Sequence, residues 1–387
     1  LYTFLETSNT KGFIVLKDGK IVLEKYFGTF TKDSTWYWAS SSKALTALLV
    51  GIAQEEGFLK VSDSTSKYLG TGWTSCTPEQ EGKITIWNQL TMTNGLDDVA
   101  PEDNHCTIDT CLLYKAPAGT RWAYHNAPYT LLENVVSEAT GRSYNAFTRS
   151  RVGSKIGLNG IWYPSGFNNI FVSNVREYAR FGLLAANNFI WQTDTILKDS
   201  AYKKQMVSTS QELNKSYGYL WWLNGKSSYM IPGGSQFVIP GMLAPDAPAD
   251  MFAGIGKNGQ IVSISKSEGI VLVRMGNTPG TTVDVPTQYT NDLWREFQKV
   301  NCATGLKEVG MATLNASVYP NPASTKAIIT LQSGKIPESI DVYDTYGRLL
   351  LHETNTNQVH IHELENGLYT VVITHQRATQ SLKLVKQ

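Results

Sequence analysis

Ser40 and Lys43 stand three residues apart in Ser40-Ser41-Ser42-Lys43, where the aromatic run Trp36-Tyr37-Trp38 gives way to an apolar stretch. A hydroxyl and an amine at that spacing share one face of a helix start, so the amine can accept the proton of an attacking serine. Ser-x-x-Lys also occurs at Ser8, Ser64, Ser200 and Ser263, and a serine ahead of a helix is often just an N-cap. A second element singles out Ser40. Tyr124-His125-Asn126 precedes another helical pattern, and in an extended segment Tyr124 and Asn126 project to the same side. Tyr-x-Asn recurs at Tyr289 and Tyr319, but one lies beside a helix and the other in a Pro-flanked turn.

The elements that must position these groups are legible as patterns. Leu45, Leu48, Leu49, Ile52 and Ala53 recur at helical spacing after Lys43, predicting one buried face that ends near Gly57. Tyr129, Leu131, Leu132, Val135 and Val136 predict a helix after Asn126, closed by Gly141. A Ser-His-Asp triad has little to draw on: before the last ninety residues only His105 and His125 occur, and there is no Gly-x-Ser-x-Gly elbow. Lys43 serves as a base only when neutral, which requires burial or nearby positive charge to lower its pKa from about 10.4. Tyr124 is the other candidate, either as the base or as a relay to the leaving group. Asn126 would orient Lys43 or the substrate carbonyl.

With these motifs in place the chain resembles the serine beta-lactamase and penicillin-binding-protein superfamily, in particular its class C-like esterase and 6-aminohexanoate-dimer hydrolase branches. The resemblance runs over about residues 10–300. It begins with a hairpin from Gly12, continues through Ser40-x-x-Lys43, residues 84–96, Tyr124-x-Asn126 and residues 217–222, and ends with Phe252-Ala253-Gly254-Ile255-Gly256-Lys257. It implies an α+β fold: an antiparallel sheet built from the hairpin and the strands near residues 252–274, flanked by helices, with a helical subdomain and the site at their junction. It also implies a two-step hydrolysis through an acyl-enzyme on Ser40. The Ser40 N–H and an N–H of the Gly254-Ile255-Gly256-Lys257 strand would hold the oxyanion. The family's Lys-Thr-Gly is absent, Gly254-Ile255-Gly256 standing in its place, which favours ester or small-amide hydrolysis over lactam or cell-wall peptide cleavage. The alternatives are beta-lactamase or D,D-peptidase activity, or a catalytically silent surface-binding protein on the same scaffold.

Around this core the sequence suggests further parts. Trp221 and Trp222 are candidates for a substrate-binding cleft wall, as is the Gly- and Pro-rich segment 230–248. Asp97, Asp98 and Glu102 precede Tyr124 in a loop and read as solvated acids; His125 points away from Tyr124 and Asn126. Among the four cysteines, Cys106 and Cys111 are close enough to close a small disulfide loop. No Cys-x-x-Cys or paired His spacing suggests a metal, and no cofactor is implied.

The chain has 387 residues, 42% apolar and 17% charged, with a formal charge of +1. Two domains are expected, at 1–304 and 312–387, with the boundary near 303–311. No basic run suits nucleic acid, and the longest apolar run, 44–53, is about half of a membrane span. The chain opens at Leu1 without a basic, apolar export segment, so any signal peptide is expected to have been removed or not included. All ten tryptophans lie between Trp36 and Trp294. The last seventy or so residues instead show short strand patterns at 327–331, 340–343, 349–352, 359–362, 368–374 and 382–385, with turns at 344–347 and 365–367, predicting a small β-sandwich. That tail resembles the C-terminal sorting domain of type IX secretion cargo through Val318-Tyr319-Pro320-Asn321-Pro322, Asn366-Gly367-Leu368-Tyr369 and the closing Leu382-Lys383-Leu384-Val385-Lys386. The resemblance implies a secreted or cell-surface enzyme whose partners are the export machinery and a small ester or amide substrate. An accessory sandwich that binds carbohydrate or a partner is the other reading of the tail.

Overall fold

The structure, a computed structural model, describes residues 1–100, 103–233, 236–280, 283–304, 314–344, 347–376 and 378–387, with the side chains of 301–304 left out. Glu102, part of the segment 230–248, residues 305–311 of the expected boundary, and part of the turn 344–347 lie outside the described residues. The chain forms two compact units, Leu1–Asn301 and Cys302–Gln387.

In the first unit the strands are β1 (Thr10–Lys17), β2 (Lys20–Tyr26), β3 (Thr35–Tyr37), β4 (Ile161–Ser165), β5 (Asn168–Asn174), β6 (Trp222–Leu223), β7 (Phe252–Gly256), β8 (Gln260–Ser265) and β9 (Ile270–Gly276). The helices that matter here are α1 (Lys43–Glu55), α2 (Asn126–Thr130), α3 (Leu132–Thr140), α4 (Val175–Ala186) and α5 (Thr287–Thr304). β1 and β2 form a hairpin because Asp18 and Gly19 both take positive φ, 49° and 76°, the conformation that matches the twist of paired strands. The hairpin joins an antiparallel sheet in the order β2-β1-β9-β8-β7-β6. β7, β8 and β9 are buried at every position. They read as apolar runs rather than alternations because both faces are covered. α4 lies on one face, so close that a Cβ on Gly182 would sit 2.5 Å from Val271 Cγ1. From α5, Trp294 Nε1 donates to Ser263 Oγ at 2.8 Å.

The sequence pattern gave α1 one buried face, but every residue from Lys43 to Ala53 is buried. The helix is enclosed on all sides: α3 packs along it, and the Tyr202 ring presses on Gly51, where a Cβ would lie 2.4 Å from Cε1. A helix apolar nearly all round is a core helix rather than a surface one. Lys43 is carried into that core.

The second unit is all-β: β10 (Ala316–Tyr319), β11 (Lys326–Leu331), β12 (Ser339–Tyr343), β13 (Leu349–Thr354), β14 (Gln358–His360), β15 (Gly367–His375) and β16 (Ala378–Lys386). A sheet β10-β11-β14 and a sheet β13-β12-β15-β16 bury alternate residues into one shared core, including Ile329, Ile340, Val342, Val371, Ile373 and Leu384, which makes a sandwich. β10 has no counterpart among the strand patterns read from the sequence, because it runs directly into Pro320-Asn321-Pro322, whose turn chemistry masks it.

Candidate active site

The chain enters the site through a strained corner. Ala39 sits at φ 47°, a left-handed conformation that a residue with a Cβ adopts at some cost. It turns the end of β3 into the 3-10 turn Ala39–Ser42, from which α1 starts at Lys43. The three serines of that turn are not equivalent. Ser41 Oγ is bonded to the Tyr178 hydroxyl, and Ser42 Oγ donates to Ala39 O at 2.7 Å. Ser40 Oγ instead accepts from Lys43 Nζ at 2.9 Å. It lines a cavity of about 240 Å³ together with Lys43, Asn126, Tyr129, Lys257 and Asp284. Ser40 forms no N-cap bond.

The amine of Lys43 has three further neighbours. It donates to Asn126 Oδ1 at 2.8 Å and lies 4.2 Å from the ring centre of Tyr129 and 4.9 Å from that of Tyr124. Burial pushes the Lys43 ammonium down to about 7, with the Asp284 carboxylate opposing. Tyr124 packs its ring on Trp222 at 5.7 Å and is buried. Its hydroxyl completes no hydrogen bond among the described residues. Burial drives its pKa well above the ordinary phenol value, while the nearby Ser40 hydroxyl pulls the other way.

β7 lies flush against the Ala39–Ser42 turn. A Cβ on Gly256 would come within 2.8 Å of Trp38 O and 2.9 Å of the Ser40 and Ser41 nitrogens, and one on Gly254 within 2.8 Å of Ser41 Oγ. Glycine is required there for close approach. Ile255 is buried in the core. Lys257 reaches the cavity, where it pairs with Asp284 at 3.3 Å.

Several expectations need correction. Trp221 and Trp222 are 0% and 1% exposed and neither lines the cavity: Trp221 stacks on Phe181, and Trp222 backs Tyr124. Asp97 and Asp98 are buried rather than solvated. Asp97 pairs with Lys115 at 2.9 Å and Asp98 with Arg121 at 2.7 Å, so a loop that looked open is pinned by ion pairs. None of the described residues of 230–248 lines the cavity. His125 is fully buried with both ring nitrogens unpartnered among the described residues, and burial lowers its pKa to about 4. Cys106 and Cys111 form a disulfide. Tyr129, Asn168, Asn169 and Asp284 line the cavity without having stood out in the sequence, and so does His105, which entered the sequence reading only in setting aside a Ser-His-Asp triad. Tyr129 was legible only as a helix position, and the others sit in segments with no periodic signal. Among the described residues no group of His, Cys, Asp or Glu side chains is placed to hold a metal ion, and no described helix is long and apolar enough to cross a membrane.

A family model described as "Beta-lactamase" matches residues 11–293, and one described as "Secretion system C-terminal sorting domain" matches residues 317–387. Over 160 residues the chain is 26% identical to a protein of Bacillus subtilis strain 168 provisionally named penicillin-binding protein PbpX, and over 138 residues 30% identical to a beta-lactamase of Escherichia coli K12. These alignments take in 38% and 34% of this chain, and the chain spans only 39% and 36% of the two relatives' lengths. A solved structure from Bacillus anthracis, provisionally named a 6-aminohexanoate-dimer hydrolase, superposes with a TM-score of 0.59 at 18% identity over 77% of this chain and 82% of its own. At that identity the likeness is one of fold.

Proposed function

Because the chain belongs to the beta-lactamase family and ends in a secretion-system sorting domain, we propose that it is a secreted serine hydrolase that cleaves carboxylic esters or small amides through an acyl-enzyme on Ser40. One observation carries the proposal: a buried lysine amine with a pKa near 7 lies 2.9 Å from a serine hydroxyl that borders a cavity. Neutral Lys43 takes the Ser40 proton as Oγ bonds to the substrate carbonyl carbon. The Ser40 N–H and an N–H at the end of β7 hold the oxyanion, each donor contributing roughly 3 kcal/mol. Tyr124 is protonated at rest, since burial disfavours the phenolate, and acts as a relay that passes its proton to the leaving alcohol or amine as the C–O or C–N bond breaks. Lys43 then returns a proton to Tyr124. Water attacks the acyl-enzyme by the reverse relay, releasing the acid and restoring Ser40. Gly254 in place of a lysine, with the Lys257 ammonium occupied by Asp284, leaves the carboxylate of a lactam without a free cation among the described residues of the cavity wall.

The test compares a chromogenic short-chain ester, a chromogenic cephalosporin and the 6-aminohexanoate dimer on wild type and Ser40→Ala. Ester turnover should be fastest and lactam turnover poor, with about 10³-fold or more lost in Ser40→Ala. Equal rates in the two proteins would remove the hydrolase reading, and fast lactam cleavage would reverse the substrate order.

A further inference from the structure

Asn126 turns its carbonyl oxygen, not its amide nitrogen, toward Lys43, and the nitrogen is taken by a residue outside the Ser-Lys-Tyr-Asn set. Asn126 Nδ2 donates to Asn104 Oδ1 at 3.0 Å, which leaves Oδ1 to accept from Lys43 Nζ at 2.8 Å. The short segment that carries Asn104 grips the site at two more points. Asn104 O accepts from Ala127 N at 3.0 Å in the first turn of α2. The next residue, His105, bonds through Nδ1 to Asn168 Oδ1 at 2.8 Å on β5, and both of these residues line the cavity. Apart from a single 3-10 turn at Asp109–Cys111, the segment has no regular structure. What closes it is the Cys106–Cys111 disulfide, which begins two residues after Asn104.

The geometry points to Asn104 as a positioning residue that sets the orientation of Asn126, and to the Cys106–Cys111 bridge as its brace, so that turnover falls when the bridge is reduced. The redox step is ordinary. A dithiol supplies two electrons and two protons, the S–S bond breaks, Cys106 and Cys111 become thiols, and the reductant becomes a disulfide. If the brace loosens and Asn126 flips, Nδ2 faces Lys43 and the ammonium loses its acceptor. The groups left facing it are Ser40, Tyr124, Tyr129 and Asp284, with Lys257 and His105 elsewhere on the cavity wall. Losing an acceptor weakens the charged form, so the Lys43 pKa drops. The amine is also held less firmly at Ser40, which lowers kcat rather than raising KM. An enzyme built this way is fully competent only in the oxidising surroundings its sorting domain leads to.

The effect on turnover rests on the acyl-enzyme reading, but the orientation of Asn126 can be read without turnover. The full chain, labelled with ¹³C-lysine, is titrated by NMR to follow Lys43, its resonance identified by its loss in Lys43→Met. Ester kcat and KM, and Ser40 labelling by a fluorophosphonate, are measured alongside. Asn104→Ala, wild type reduced with dithiothreitol, and Cys106→Ser/Cys111→Ser should all lower the Lys43 midpoint by about half a pH unit or more. They should also lower kcat roughly tenfold at pH 9, where Lys43 is neutral in every form, with KM little changed. Asn104→Asp keeps an acceptor for Asn126 and adds negative charge, so its midpoint should rise while its kcat at pH 9 recovers. The double serine variant should ignore dithiothreitol. An unchanged midpoint in both Asn104→Ala and the reduced protein overturns the proposal. Absence of Ser40 labelling in every form would instead refute the hydrolase reading, and the midpoint series would still decide the role of Asn104.

Discussion

An exposed lysine loses its proton near pH 10.4, and the Lys43 amine does so at about 7 because it is buried at the start of α1. As the base it works only when neutral. The proposed mechanism therefore gives ester kcat/KM that rises with pH through about 7 and levels above it. The Tyr124 phenol stays protonated throughout that range because burial raises its pKa. A pH profile flat from 5 to 9 would sink this assignment. His125 makes a prediction of its own. Its folded pKa of about 4 lies below the ordinary 6.5, so between these values the unfolded chain binds a proton that the native state refuses. The stability this contributes is complete above pH 6.5 and is lost as pH falls through 4, by about 3 kcal/mol in all. Asp97, Asp98, Arg121 and His105 are the charged or titratable groups around it. Urea unfolding at pH 7 and pH 4.5 should show the loss in wild type, and His125→Phe should flatten it.

At the scale of elements, the close contact between β7 and the Ala39–Ser42 turn sets the geometry around Ser40. Gly256→Ala would drive a methyl into the Trp38 carbonyl and the Ser40 and Ser41 nitrogens, so the turn or the strand must shift. Overpacking of this kind costs about 1–3 kcal/mol. A displacement of the oxyanion donors should cost roughly 10²-fold in kcat. Thermal unfolding and ester kinetics on the variant read the two effects separately. A variant with unchanged kcat would mean that β7 takes no part in holding the oxyanion. Part of this arrangement was open to the sequence through the family resemblance, which implied the hairpin from Gly12 and the sheet strands near residues 252–274. The enclosure of α1 was not. Three- and four-residue spacing reports one buried face, and only the packing of α3 and Tyr202 around the helix buries the rest.

For the whole molecule, each unit closes its own hydrophobic core. We expect a chain ending at Thr304 to fold and to keep ester kcat/KM within about twofold, while losing export. An insoluble or inactive truncation would show that the tail is needed for the fold.

The sequence by itself determined the family and the sorting tail and named the candidate reacting groups Ser40, Lys43, Tyr124 and Asn126, because these rest on residue identity and order. Three-dimensional packing decided which groups meet. Burial moves Trp221 and Trp222 from the cleft wall to the core and turns Asp97 and Asp98 into partners of Lys115 and Arg121. It brings Asn104, Asn168 and Asp284 to the site from segments far apart in the chain. Spacing along a chain fixes contacts only within a helix turn or a strand pair. A pKa near 7 at Lys43 arises from the many residues that keep water away from it, and no local pattern encodes that exclusion.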